Sequence, residues 1–152
     1  MASTIILKGE NPTLEELEAN AAITPGMLIE IMSTNKVRAH AEDDGFAVPL
    51  FALEDELQGK GISEAYAAGD QVPCWRPKPG DQVNALLADG ENVAIGDKLS
   101  SNGDGYLRKY ASPQSVIEET GAIVGIAREA IDRSSSSGGD TNTTGRIAVE
   151  IV

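Results

Sequence analysis

One turn is written into this chain three times. Ala67-Ala68-Gly69-Asp70-Gln71-Val72 is followed by Lys78-Pro79-Gly80-Asp81-Gln82-Val83 and then by Ala94-Ile95-Gly96-Asp97-Lys98-Leu99. A weaker fourth copy, Thr24-Pro25-Gly26-Met27-Leu28-Ile29, puts Met where the others have Asp. Glycine permits a backbone conformation that a side chain opposes, and Asp bonds back to its own main chain. Two positions after the Asp or Met stands an apolar residue that starts a strand. A chain that enters strands this way repeatedly is mainly β, built of short strands and tight turns. The repeat specifies architecture and carries no chemistry.

The remaining turn and strand signals agree. Met27 to Met32 and Val37 to His40 flank the turn Ser33-Thr34-Asn35-Lys36. Val48 to Glu54 reads as a strand, and Pro49, which lacks a backbone donor, means that it starts at or lies on an edge. Strands are expected at Val72 to Arg76, Gln82 to Leu87 and Lys98 to Ser101. Asn102-Gly103-Asp104-Gly105 turns the last of these into Tyr106 to Tyr110. Ala122 to Ile131 is apolar, with Gly121 and Gly125 favouring strand over helix. Arg146 to Val152 closes the pattern, with Ile147, Val149 and Ile151 alternating with Ala148 and Glu150, so that one face is buried. Ser112-Pro113 is a possible helix start, and the Ser- and Gly-rich stretch from Ser134 to Gly145 is a polar loop suited to an outer surface.

Residues 1–21 differ from the rest. Thr4 to Leu7 is a short β-prone run, Asn11-Pro12 interrupts it, and Thr13 to Asn20 reads as a brief helix. Thr13 and Glu16 stand at capping-box spacing, and Leu14 and Leu17 form its apolar stripe. The expected organisation is an N-terminal arm over 1–21 and a β-rich domain over 22–152. The fold is a single compact domain, whether barrel, sandwich or tulip-like bundle, with at most one or two short helices. With 152 residues the chain is long enough for one real core. Aromatic residues make up only 4%, so Val, Ile, Leu and Ala must fill it.

The formal net charge of -12 argues against nucleic acid or an anionic membrane as a direct partner. No stretch has the length and apolarity of a membrane span, and the N-terminus does not read as a secretion signal. Cys74 is the single cysteine, so no intrachain disulfide and no cysteine-based zinc site are available. It is expected to be reduced and buried.

The residues offer no assembled chemistry. His40, the only histidine, precedes the acidic loop Ala41-Glu42-Asp43-Asp44-Gly45 and reads as a surface histidine. A nucleophilic Cys74 would need that histidine beside it. Asp97, Asn102 and Asp104 lack the spacing of a calcium loop and have no closing Glu. Gly59-Lys60-Gly61 is too short to cradle phosphate. Glu15-Glu16, Asp43-Asp44 and Glu118-Glu119 read as solvated charge. Trp75 with Arg76 forms either an exposed contact patch for a sugar or a protein partner, or, as the sole Trp, a packing anchor. No catalytic residues, metal ligands or cofactor are expected, and the chain reads as a non-enzyme.

The order of these segments resembles a known family. It runs from Thr4-Ile5-Ile6-Leu7-Lys8-Gly9, through Ala22-Ile23-Thr24-Pro25-Gly26-Met27 and Pro49-Leu50-Phe51-Ala52-Leu53-Glu54-Asp55-Glu56-Leu57. It continues with Asn84-Ala85-Leu86-Leu87-Ala88-Asp89-Gly90 and Ala122-Ile123-Val124-Gly125-Ile126-Ala127, and ends with Arg146-Ile147-Ala148-Val149-Glu150-Ile151. It is similar to the capsid decoration, or cement, proteins of tailed bacteriophages. The resemblance implies a β-rich protein made in the bacterial cytoplasm that joins the outer surface of the expanded head. There it would form homotrimers at three-fold and quasi-three-fold positions and clamp neighbouring major capsid protein subunits against the pressure of the packaged DNA. The arm, Thr4, Ile5, Ile6, Leu7 and Lys8, would add a strand to a sheet edge of the capsid protein. The alternative is a surface module that recognises glycans or host structures through Trp75 and the acidic loops.

Overall fold

The computed structural model describes residues 3–10, 12–111, 121–134 and 145–152. The expected helix start at Ser112-Pro113 and most of the Ser- and Gly-rich loop lie outside them. The described chain is mainly β, with a single turn of 3-10 helix at Glu56–Gln58.

The four repeated turns do more than begin strands. Gly26, Gly69, Gly80 and Gly96 all have φ near +90°, the third position of a type II turn. In the three Asp copies the carboxylate accepts the N–H three residues back: Asp70 from Ala67 at 2.9 Å, Asp81 from Lys78 at 2.8 Å, and Asp97 from Ala94 at 2.9 Å. In the weak copy the Met27 sulfur stands in, 3.4 Å from the Thr24 nitrogen. Each turn then grips one residue of a distant segment by a reciprocal pair of main-chain bonds. The glycine N–H donates to that residue's carbonyl, and its N–H returns a bond to the carbonyl of the Asp or Met. The gripped residues are Ala52, Ala19, Ile151 and Ala127, for Gly26, Gly69, Gly80 and Gly96 respectively, with distances of 2.8 to 3.1 Å.

These grips organise two facing sheets. The larger is ordered β1 (Ile6–Lys8), β7 (Gln82–Leu86), β13 (Arg146–Ile151), β11 (Ile123–Ala127), β9 (Lys98–Ser101), β10 (Leu107–Lys109). All its neighbours are antiparallel. Its outer strands β1 and β10 do not pair with each other, but Leu87, just past β7, bridges Leu107 of β10 and the Ala88 N–H donates to the Leu107 carbonyl at 2.8 Å, so the sheet curls back towards β7. The smaller sheet is ordered β2 (Thr13–Glu18), β6 (Gln71–Arg76), β5 (Phe51–Ala52). Two further antiparallel pairs complete the fold: β3 (Ile29–Ile31) with β4 (Val37–Ala39) as a hairpin, and the sequence-distant β8 (Asn92–Val93) with β12 (Ile131–Asp132). Pro49 lies just before β5, and the side of β5 away from β6 is not open: Phe51 bridges Leu28, and Ala52 exchanges bonds with Gly26 and Met27.

The small sheet is a shared wall. Period-two alternation sends Trp75 and Phe51 into a large core with Val83, Leu99, Val124 and Ile147 of the large sheet. Val72, Cys74 and Ala52 face the other way, into a second core with Leu17, Ile29, Val37 and Tyr66. Cys74 is buried and unpaired.

Two expectations change here. Thr13–Glu18 is a strand, not a helix: it pairs with β6 along its whole length, from Thr13 opposite Arg76 to Glu18 opposite Gln71. A helix of two turns is marginal alone, and the open edge of β6 offers a full ladder instead. Residues three apart fall on opposite faces of a strand, so Leu17 is buried while Leu14 is 55% exposed. The segment expected to stand out as an arm is seated on the body. Ile5 is fully buried in the large core, Ile6 pairs with Val83, and the Ile5 carbonyl accepts from the Asn84 N–H at 2.8 Å.

Candidate docking groove

The residues singled out in the sequence come apart in space. Trp75 is 0% exposed, so the proposed Trp75 and Arg76 contact patch does not form. The indole is the largest fully buried side chain of the large core, in a chain with few other aromatics to fill it. Its N–H has no hydrogen-bond partner among the described residues. Arg76 points to the opposite face and lies 3.6 Å from Glu15. The reading of Trp75 as a packing anchor is the one that holds.

His40 is buried rather than on the surface. Its Nδ1 lies 2.7 Å from Ser101 Oγ, and its Nε2 donates to the Phe46 carbonyl at 3.0 Å. It thereby anchors the acidic loop. Asp44 in that loop takes a bidentate contact from Arg108 and a short bond from the Ser100 hydroxyl. Partial burial raises its pKa, but the bonds and charge of Arg108 and the Ser100 bond outweigh this and hold the carboxyl below its ordinary value. Cys74 donates to the Val72 carbonyl at 3.2 Å, and burial pushes its thiol up to about 11. His40 and Cys74 share no partner, so a thiol–imidazole pair is not assembled. Asp97 and Asp104 are used by turns: Asp97 binds Ala94 and Lys109, and Asp104 accepts from the Tyr106 N–H.

What the sequence did not reveal is a surface groove of about 500 Å³ beside the N-terminal strand. Its floor is apolar: Ile6, Leu14, Leu53, Leu57 and Pro73. Its rim is acidic: Glu15, Glu16, Glu54, Asp55 and Glu56, with no Lys, Arg or His among the lining residues. The register explains the floor. Leu14 lies opposite Trp75 and Glu16 opposite Pro73, so these four share one face of the small sheet. Trp75 is the inner end of that face and the groove its outer end, where the face emerges beside β1. Leu57, on the 3-10 turn, is 96% exposed. The groove is bounded by two edge strands, β1 and β2. The Glu54 carboxylate accepts the Ile5 N–H at 3.2 Å, so one rim group also steadies the start of β1.

No family model and no curated protein matches the sequence. Among solved structures, the chain is similar to one described as the N base of head fiber gp8.5 in bacteriophage phi29. The TM-score is 0.57 at 11% sequence identity, over 93% of this chain and 94% of that one. The likeness is one of fold. It extends over nearly the full length of both chains.

Proposed function

We propose that the protein is a structural component of a tailed-phage head. It sits on the outside of the expanded shell and clamps neighbouring major capsid protein subunits as a homotrimer at three-fold and quasi-three-fold positions. The single observation that carries this reading is the fold shared, over nearly the full length of both chains, with the base of a phage head fiber. The ordered resemblance of the sequence to decoration proteins points the same way from independent grounds.

Three physical features support it. The net charge of -12 complements a basic shell surface and repels the phosphates of packaged DNA. The outer edge of β1, formed by the segment Thr4 to Lys8, is open to a further strand. The Gly-Asp turns fasten distant segments through the main chain, which suits a body whose work is to resist deformation. No enzymatic step, cofactor or membrane contact is part of this reading.

The test is sedimentation. The purified protein should sediment as a trimer and co-sediment with expanded shells but not with unexpanded precursors. A monomer that binds neither form overturns the reading. Equal binding to both forms overturns the part that concerns expansion.

A further inference from the structure

The groove between β1 and the small sheet joins three features. Its floor exposes large apolar side chains, with Leu57 almost wholly in water. Its lining includes five acidic residues and no Lys, Arg or His; of these, Glu15 turns its carboxylate to the other face of β2, towards Arg76. Both strands beside it, β1 and β2, are sheet edges. Apolar side chains held in water are costly and mark a surface that is covered in use. A rim of one sign states what covers it.

We propose that this groove takes an extended segment of a partner protein in which apolar residues alternate with Lys or Arg. In an extended segment, alternate side chains point to opposite sides. One set reaches the floor formed by Ile6, Leu14, Leu53 and Leu57. The long stems of Lys and Arg lie over apolar surface while their heads reach the carboxylates of Glu16, Asp55 and Glu56. The open edge of β1 provides a main-chain ladder for the same segment.

Charge selects this occupant over the others. A second copy of the chain carries the same -12 and brings its own carboxylates to the rim. Nucleic acid is repelled outright. The proposal rests on the reading of a head protein only for the identity of the partner, a shell subunit. The binding chemistry stands without it.

The experiment uses the full chain and dye-labelled ten-residue peptides read by fluorescence anisotropy. One peptide alternates Lys with Leu, one Glu with Leu, and one Lys with Ser. The Lys–Leu peptide should bind at least about tenfold more tightly than either control. Its affinity should fall as salt rises from about 0.05 M to about 0.5 M. Leu57→Ser, and separately Glu16→Lys with Glu56→Lys, should each weaken it about fivefold or more with no change in thermal unfolding, since all three side chains are exposed. Equal binding of the three peptides, or variants that bind as the parent does, overturns the proposal. Self-association abolished by these variants and blocked by the peptide overturns it in favour of a second copy. Shell binding that survives Glu16→Lys with Glu56→Lys overturns the groove and leaves the head role standing. Peptide binding without shell binding does the reverse.

Discussion

Ala94 and Asp97 are joined twice. The Ala94 N–H donates to Asp97 Oδ2 at 2.9 Å, and the Asp97 N–H donates to the Ala94 carbonyl at 3.1 Å. The bond from Ala94 is the main reason the Asp97 carboxyl sits below its ordinary value of 3.8, and Lys109 adds to it. Asp97→Ala should cost roughly 1 kcal/mol in urea unfolding, and Asp97→Asn less, because the amide oxygen still accepts. A carboxyl whose folded pKa is depressed contributes stability that is complete above its unfolded value. That contribution is lost as the pH falls through 3.8 and below. The parent protein should therefore lose more stability than Asp97→Ala over that acid range, measured by parallel urea titrations.

The four turn glycines should not respond alike to a methyl group. A Cβ on Gly80 meets nothing within 4 Å, so Gly80→Ala bears only the cost of a positive φ, about 1 kcal/mol. A Cβ on Gly26 would lie 2.4 Å from Arg146 Nη1 and 2.9 Å from the Asn84 carbonyl oxygen. The Arg146 guanidinium is itself buried, donating to the Ile62 carbonyl at 2.6 Å. Gly26→Ala should thus lower the melting temperature by clearly more than Gly80→Ala, for which about 2–4 °C is expected in a chain of this size.

Cys74 should be silent in the folded protein. Burial is the chief reason its thiol is raised to about 11 from 9.0, so little thiolate exists at neutral pH. Reaction with a disulfide reagent should be slow until denaturant exposes the second core. An acidic group whose folded pKa is raised contributes stability below its unfolded value, and that contribution disappears between 9.0 and about 11. Cys74→Ala should flatten the alkaline limb of the stability profile.

Ile5 tests whether the N-terminal strand belongs to the body. It is fully buried in the large core. Ile5→Ala should destabilise the isolated protein by about 2–5 kcal/mol, and Ile5→Val by about 0.5–1.5 kcal/mol. A melting curve unchanged by Ile5→Ala would return the segment to the status of a free arm.

The strands were legible because their signals are local. Ile147, Val149 and Ile151 alternate, and glycine stands at most positions of positive φ, with Asn35 and Asp44 at others. The brief helix at Thr13 was misread because capping-box spacing and a two-leucine stripe are also local, while the strand that displaced it, β6, is more than fifty residues away. Trp75 could not be assigned to surface or core from its neighbours, since burial depends on the face that β6 turns to the large sheet. The reciprocal grip of each repeated turn on Ala19, Ala52, Ala127 or Ile151 is made by main-chain atoms, which leave no mark in side-chain identity. The groove was invisible for a related reason. Ile6, Leu14, Leu53 and Leu57 come from four separate stretches, and each looks like an ordinary apolar residue of its own strand or turn.

The place of β13 in the large sheet has a consequence for how the chain acquires its shape. This strand lies between β7 and β11 and joins the two halves of the sheet, yet it is the last of the thirteen described strands to be synthesised. Until residues 146–151 emerge, β7 and β11 each carry an open edge, and the grip of Gly80 and Asp81 on Ile151 has nothing to hold. Folding of the large core is therefore gated by its final strand, a non-local closure of the kind that makes β proteins slow. In that interval the nascent chain exposes the strand edges most prone to pairing with the wrong neighbour.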